Sequence, residues 1–297
     1  MRTLVTGATG FIGRKLLEGI EEPVVLSRDP KRTQACLARG KAYGWDPTKE
    51  EPPREAFDGV DTVIHLAGEP VAEGRWTAAK KQRIMDSRKL GTANLVRAMC
   101  NLAQPPRVLV SASAIGLYGS RGDEPLDEMS APGNDFLADV CREWEAAADP
   151  ARERGIRVVH PRIGIVLGKG GGALAKMITP FKLGLGGRLA SGRQWMSWIH
   201  VDDMVGMLLF AAGNDRASGP MNAVAPTPVT NAEFTKALAK AVHRPAIFPV
   251  PAFGLKLLLG GFADVLLASQ RVLPRAAEKA GFAFRHPSLD ETLNSIV

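Results

Sequence analysis

The stretch Thr6–Gly13 reads TGATGFIG, and it decides the fold. Gly7, Gly10 and Gly13 give the spacing GxxGxxG, between a short apolar run at Thr3–Thr6 and a helical pattern from Ile12 onward. The first glycine allows a tight turn out of a strand. The second lets the backbone approach a pyrophosphate at the positive end of a helix. The third permits the helix to pack closely on the strand. A glycine pattern alone is a weak signal. Between a strand and a helix it predicts a dinucleotide-binding unit, with Thr9, Phe11 and Ile12 completing the candidate cofactor loop.

Outward from this loop, strand and helix signals alternate. Val24–Ser27, Thr62–Ala67 (TVIHLA), Val108–Ser111 and Val158–Pro161 read as strands. Thr77–Leu102 has helical spacing, with Ile84, Leu90, Leu95, Val96 and Met99 as its apolar stripe, and Asp135–Ala148 reads as a further helix. This alternation predicts an α/β, Rossmann-like, doubly wound parallel sheet covered on both faces. After Arg162, Gly and Pro punctuate shorter elements, and from Asn231 the segments read as mostly helical. The expected division is residues 1–162 as the cofactor-binding domain and 163–297 as a smaller, mostly helical substrate lobe. A cleft over the carboxyl ends of the strands is the expected ligand site.

The chain has 297 residues, 45% of them apolar and 23% charged, an ordinary soluble balance. Its net charge of +7 is scattered, with no run of five like charges. No aromatic-and-basic pattern accompanies it, so no nucleic-acid partner is expected. Cys36, Cys100 and Cys141 are too few and too dispersed for a disulfide framework or a metal site. They read as reduced thiols, and with no signal-peptide pattern the expected location is cytoplasmic. Phe253–Ala268 (FGLKLLLGGFADVLLA) is interrupted by Lys256 and Asp264. It is shorter than the ~18 residues of a membrane span. It reads as an amphipathic helix that packs on its own protein, not as a membrane contact.

The end of the second strand selects the nucleotide. An acidic residue there bonds a ribose 2′-hydroxyl, whereas Arg accommodates a 2′-phosphate. Here Val24-Val25-Leu26 runs into Ser27-Arg28, with Lys31 and Arg32 close behind. Ser27 can donate to a phosphate oxygen and Arg28 can form a two-pronged pair with it. The expected cofactor is therefore NADP(H). Asp29 dissents but lies one residue past the deciding position, and a solvated basic loop is the competing reading.

Further along, His65-Leu66-Ala67-Gly68 ends the strand that begins at Thr62, where Leu66, Ala67 and Gly68 leave room beside the cofactor. His65 itself reads as a satisfied core residue. SASAIGLYG at Ser111–Gly119 offers Ser113 as a hydroxyl near the nicotinamide and Tyr118 as a phenolic acid, although a packed, bonded tyrosine is an equal reading. His200, in SWIHVDD, is the titratable candidate of the second lobe, with Asp202 expected to cap a helix over Asp203–Ala212. Arg88 can reach cofactor phosphates or an acidic substrate. Glu69, Arg193, Gln194 and Trp198 are candidates for the substrate cleft. Gly170–Gly172 reads as a second anion nest or a flexible turn.

TGATGFIG, HLAG, SASAIGLYG and IHVDD together resemble the extended short-chain dehydrogenase/reductases, the NAD(P)-dependent epimerase/dehydratase superfamily. RWTAAKKQRIMDSR (75–88), DFLADVCREWE (135–145), RIGIVLGKGGGAL (162–174), PFKLGLGG (180–187) and SGRQWMSWIHVDD (191–203) resemble its subgroup of "epimerase family proteins", sometimes labelled cell-division inhibitors. The resemblance spans essentially the whole chain and implies a two-lobed Rossmann-like fold that binds NADP. It also implies that the two long helices are the pair on which relatives dimerise, so a homodimer is compatible and the oligomeric state stays open.

Three positions depart from the superfamily pattern. Phe136 and Val140 stand where a Tyr-x-x-x-Lys pair is expected, and Ala114 holds the usual Ser/Thr position, one residue from Ser113. In that mechanism Tyr is the acid or base while Lys lowers its pKa and holds the ribose. Phe136, Val140 and Trp144 recur every four residues, so one helix face is an apolar wall. The expectation is an NADP(H)-binding epimerase or oxidoreductase acting on a small polar molecule without that pair. The alternative is a non-catalytic NADP(H) sensor or partner-binding protein.

Overall fold

In the computed structural model, which describes residues 2–297, Leu4 and Val5 lie fully buried in β1 (Thr3–Thr6), a central strand. The main strands that follow are β2 (Val24–Ser27), β3 (Lys41–Gly44), β4 (Thr62–His65), β5 (Val108–Ser111), β6 (Arg157–Ile163) and β7 (Gly219–Ala223). Their order across the sheet is β7-β6-β5-β4-β1-β2-β3, and every pairing is parallel. The order runs outward in both directions from β1 and β4, so a crevice opens where it reverses.

The helices are α1 (Phe11–Leu17), α2 (Pro30–Ala35), α3 (Ala78–Cys100), α4 (Phe136–Ala148), α5 (Gly172–Lys182), α6 (Val201–Gly213), α7 (Asn231–Ala241), α8 (Ala252–Leu259), α9 (Phe262–Leu267), α10 (Arg275–Ala280) and α11 (Leu289–Ile296). Alternation along β1 sorts them into layers. Leu4 joins a core with Leu95, Val96 and Met99 of α3 and Ala148 of α4. Val5, on the opposite face, joins Leu16 of α1 and Met204, Met207 and Leu208 of α6. Burying each such side chain contributes roughly 1.5–3 kcal/mol, so the two stripes hold the sheet between them.

Thr77 and Asp135 fix the starts of α3 and α4, accepting backbone N–H bonds from Lys80 at 3.1 Å and Ala138 at 2.9 Å. The sequence boundary at residue 162 is not a clean division. After Arg162 the chain leaves the sheet, but α6 returns to cover it and β7 pairs with β6 along Gly219–Ala223. What stands apart is a smaller body of α5, α7 and α11 around Trp198, Phe234, Leu238 and Leu293. Among the described residues no helix is long and apolar enough to cross a membrane.

Candidate functional site

The loop after β1 has no space for side chains at its glycines. Gly7 has φ +69°, and a Cβ there would lie 2.7 Å from the Leu66 carbonyl carbon and 2.8 Å from the Ala67 nitrogen. A Cβ on Gly13 would overlap the Gly7 carbonyl oxygen. α1 starts at Gly10 with no side-chain cap and no acidic residue in its first turn, whereas α2, α3 and α4 are capped by Asp29, Thr77 and Asp135. Uncapped N–H groups at a glycine-lined helix start are what a phosphate group requires.

A buried bond chain holds this loop against β4. The Thr6 hydroxyl accepts from the Leu66 and Ala67 amides at 3.2 and 3.1 Å, which occupies both lone pairs. Its own proton must then go to His65 Nδ1 at 2.7 Å, leaving His65 Nε2 to donate to Thr92 at 3.0 Å. Burial, with Arg88 nearby, lowers the His65 pKa to about 3. His65 is thus a neutral structural residue that sets the strand spacing around the loop.

At the end of β2, Arg28 is exposed and makes no ion pair among the described residues. Asp29 is turned away from this role, because its carboxylate accepts the Arg32 amide at 3.0 Å and caps α2. The Ser27 hydroxyl is the hub of the turn, accepting from Thr33 at 2.8 Å and from the Asp29 amide at 3.2 Å.

Across the crevice, Arg88 reaches Gly68. A Cβ at Gly68 would lie 3.1 Å from the guanidinium carbon. Arg88 donates to the carbonyls of Glu69 and Ile84, both at 3.1 Å, and lies 4.8 Å over the Trp144 ring. No carboxylate pairs with it, and burial lowers its pKa from the ordinary arginine value. Glu69 is taken by Lys80 at 2.8 Å and Arg83 at 3.5 Å, so its carboxylate is held ionised below its usual range. On the second lobe, the Gly168–Gly172 turn packs on Phe11 of the cofactor loop. A Cβ on Gly172 would lie 2.9 Å from the Phe11 ring and 2.7 Å from the Val166 carbonyl. Gly168, Gly171 and Gly172 therefore serve close packing of the lobe over the loop, whereas a Cβ on Gly170, at φ +75°, would meet nothing within 4 Å.

The side of the crevice beyond β5 is built differently. Ser113 donates to Glu145 at 2.7 Å. Glu145 receives both prongs of Arg162 at 2.9 Å. Arg162 also donates to the Tyr118 hydroxyl at 2.9 Å, and Tyr118 donates to Asn222 at 2.7 Å. Tyr118 is fully buried, and burial pushes its pKa up to about 12 against the opposing pull of Arg162. Burial works against the Arg162 cation, yet its bonds to Glu145 and Tyr118 outweigh that and raise its pKa. This network ties β6 and β7 to α4 and to the turn after β5.

Several sequence expectations are corrected here. Tyr118 and Ser113 belong to this closed network, so neither offers a free hydroxyl. Trp198 is core: it is 0% exposed and its indole N–H donates to the Thr227 carbonyl at 3.1 Å. Gln194 is buried and donates to the Leu189 carbonyl at 3.2 Å, while Arg193 stays exposed. The cap of α6 is His200, not Asp202, since His200 Nδ1 accepts the Asp202 amide at 3.1 Å. His200 also stacks on His286 with ring centroids 3.9 Å apart, and burial lowers its pKa. His200, Asp202 and His286 bring candidate ligand atoms within 4.8 Å of one another, but the His200 Nδ1 lone pair is already used. Glu145, Arg162 and Asn222 were not singled out from the sequence. Glu145 and Arg162 lie inside quoted motifs, but nothing in their spacing shows that they pair.

Comparison with known proteins now adds a family. The model of the NAD dependent epimerase/dehydratase family matches residues 3–224, and that of a domain of unknown function, DUF1731, matches residues 250–296. This chain belongs to the NAD dependent epimerase/dehydratase family. An epimerase family protein of Mycobacterium bovis is 40% identical over 292 residues, covering 97% of this chain and 95% of that one. The Arabidopsis thaliana SDR39U1 homolog, named chloroplastic, is 41% identical over 100% of this chain and 87% of its own. The crystal structure of human epimerase family protein SDR39U1 with NADPH superposes at a TM-score of 0.89, with 33% identity over 100% of this chain and 99% of that one. A Thermus thermophilus UDP-glucose 4-epimerase complex with NAD shares the fold at a TM-score of 0.78 with 20% identity. In this epimerase/dehydratase-family chain, Phe136 is half-buried at the start of α4 and Val140, one turn on, is 2% exposed.

Proposed function

We propose that this protein binds NADP(H) across the ends of β1, β2 and β4 and works as an oxidoreductase or epimerase on a small molecule, without a Tyr–Lys pair. The supporting observation is the cradle at Gly7 and Gly13, which any Cβ would fill, beside an uncapped helix start and the unpaired Arg28. The human relative crystallised with NADPH agrees with that choice of nucleotide. The residues fit the dinucleotide. The α1 amides would hold the pyrophosphate, Arg28 the 2′-phosphate and Arg88 an anionic oxygen near Gly68, while Ser27, which donates to the Asp29 carbonyl at 3.2 Å, shapes the turn that presents Arg28. The bound nicotinamide supplies hydride exchange at its C4.

The chain's part in chemistry is then orientation and exclusion of water. Phe136 and Val140 give a dry wall on α4, with the Phe136 ring 5.5 Å from that of Trp76. Neither can exchange a proton, and Tyr118, His65 and Ser113 are committed to internal bonds. The proton therefore comes from the substrate or water, and a rate ~10²–10⁴-fold below that of a protein with the acid in place is expected. The same dry wall is the observation that favours an NADP(H) sensor as the second reading.

Fluorescence titration tests binding first. NADPH should bind more tightly than NADH, and failure of both to bind would end the proposal. Oxidation of NADPH against a panel of carbonyl compounds and sugar nucleotides then separates the two readings. Slow turnover in the wild type supports the enzyme, while tight binding with no turnover in wild type or Phe136→Tyr favours the sensor.

A further inference from the structure

The apolar segment at Phe253–Ala268 does not bury its whole apolar face. In α8 only Leu255 is buried, while Phe253, Leu257 and Leu258 are 76%, 76% and 73% exposed. Phe253 and Leu257 are four residues apart and share one outer face. Leu183, Leu185, Ile247 and Phe248 are also exposed, so seven of the ten large exposed apolar side chains identified in the described residues lie between 183 and 258. The backbone brings the two segments that carry them side by side. Leu189 bridges to Val250, with the Ala190 amide donating to the Val250 carbonyl at 2.8 Å, and the Val250 amide to the Arg188 carbonyl at 2.9 Å. Exposed large apolar side chains gathered on neighbouring segments mark an interaction surface.

Its charge says what it meets. Residues 164–200 carry Lys169, Lys176, Lys182, Arg188 and Arg193 and no acidic residue. Residues 231–268 carry Lys236, Lys240, Arg244 and Lys256 against Glu233 and Asp264, with Lys256 paired to Asp264 at 3.2 Å and Lys240 4.0 Å from Asp290. A groove of about 490 Å³ beside Ile247 is lined by Arg188 and Lys236, neither of which has an ion-pair partner among the described residues. A second copy docking through this face by a two-fold axis would set one basic surface against another. An anionic bilayer surface satisfies both features, with acyl chains taking the apolar side chains and headgroup phosphates the cations.

We propose that this face, centred on α8, is a docking surface for anionic phospholipid membranes. Its α8 is anchored just before α3, where Arg75 donates to the Leu257 carbonyl at 2.9 Å, and the proposal does not depend on NADP(H) binding. The test is sedimentation of the full chain with vesicles of phosphatidylcholine alone, and of phosphatidylcholine mixed with phosphatidylglycerol.

Binding to the mixed vesicles and weak binding to the neutral ones is expected. Phe253→Ser combined with Leu257→Ser and Leu258→Ser should weaken that binding ~100-fold or more. Arg188→Glu combined with Lys236→Glu should weaken it at least ~25-fold. Both variants alter exposed side chains, so their melting temperatures should match the wild type. Three results would overturn the proposal: no vesicle binding, binding that the apolar variant leaves intact (adhesion by net charge alone), or a wild-type dimer that the apolar variant turns into a monomer.

Discussion

At the end of β1, the first amides of α1 have no side-chain cap, and Arg28 at the end of β2 has no ion-pair partner among the described residues. Beyond β5 the reverse holds. Ser113, Glu145, Arg162, Tyr118 and Asn222 bond one another in a closed chain. One end of the crevice leaves polar groups without internal partners, and the other has spent them on holding the strands to α4. Polar residues beside a cofactor are thus not catalytic by position alone. What counts is whether a lone pair or proton is left over once the internal bonds are made.

The sharpest way to break this contrast is Arg162→Met, which should strand Glu145 among buried groups and cost ~3–5 kcal/mol in urea unfolding. A loss near zero would mean the network is solvated and open to ligand. Next, Arg28→Ala should weaken NADPH by ~1.5–3 kcal/mol while leaving NADH almost unchanged, as read by fluorescence titration. Equal losses for both nucleotides would remove Arg28 from the 2′-phosphate.

Tyr118→Phe should cost ~1–3 kcal/mol of stability, because Asn222 and Arg162 lose their shared partner. If instead turnover disappears at unchanged melting temperature, the phenol is a proton donor after all. The smallest effect concerns pH. His65 has a folded pKa of about 3 against an ordinary value of 6.5, so between these values the unfolded chain binds the extra proton. Stability therefore falls as pH drops below 6.5, by ~1 kcal/mol between pH 7 and 5.5. That slope should flatten in His65→Gln, and an identical slope would assign it to other groups.

Val140 sharpens how a restored Tyr–Lys pair should be tested. At 2% exposure, a lysine there would be buried, so Phe136→Tyr alone is the cleaner variant.

The central strands were legible because each is an apolar run bounded by turn residues. Lys41–Gly44 and Gly219–Ala223 were not, and both are sheet edges. An edge strand buries less, so KAYG shows no apolar run, and GPMNA opens on Gly219 and Pro220, which read as turn residues. The cofactor loop was legible for a local reason: the need for glycine at positions 7 and 13 arises within one strand–turn–helix unit.

By itself, then, the sequence determined the parallel α/β fold, the glycine cradle and the basic end of β2, all set by neighbours a few residues apart. Only the tertiary structure decided that Tyr118 is locked to Asn222, 104 residues away, that Trp198 is core, and that α8 turns Phe253 and Leu257 outward. Those outcomes depend on which distant groups meet, and a hydrogen bond or a buried face belongs to a pair of surfaces that one stretch of sequence does not contain.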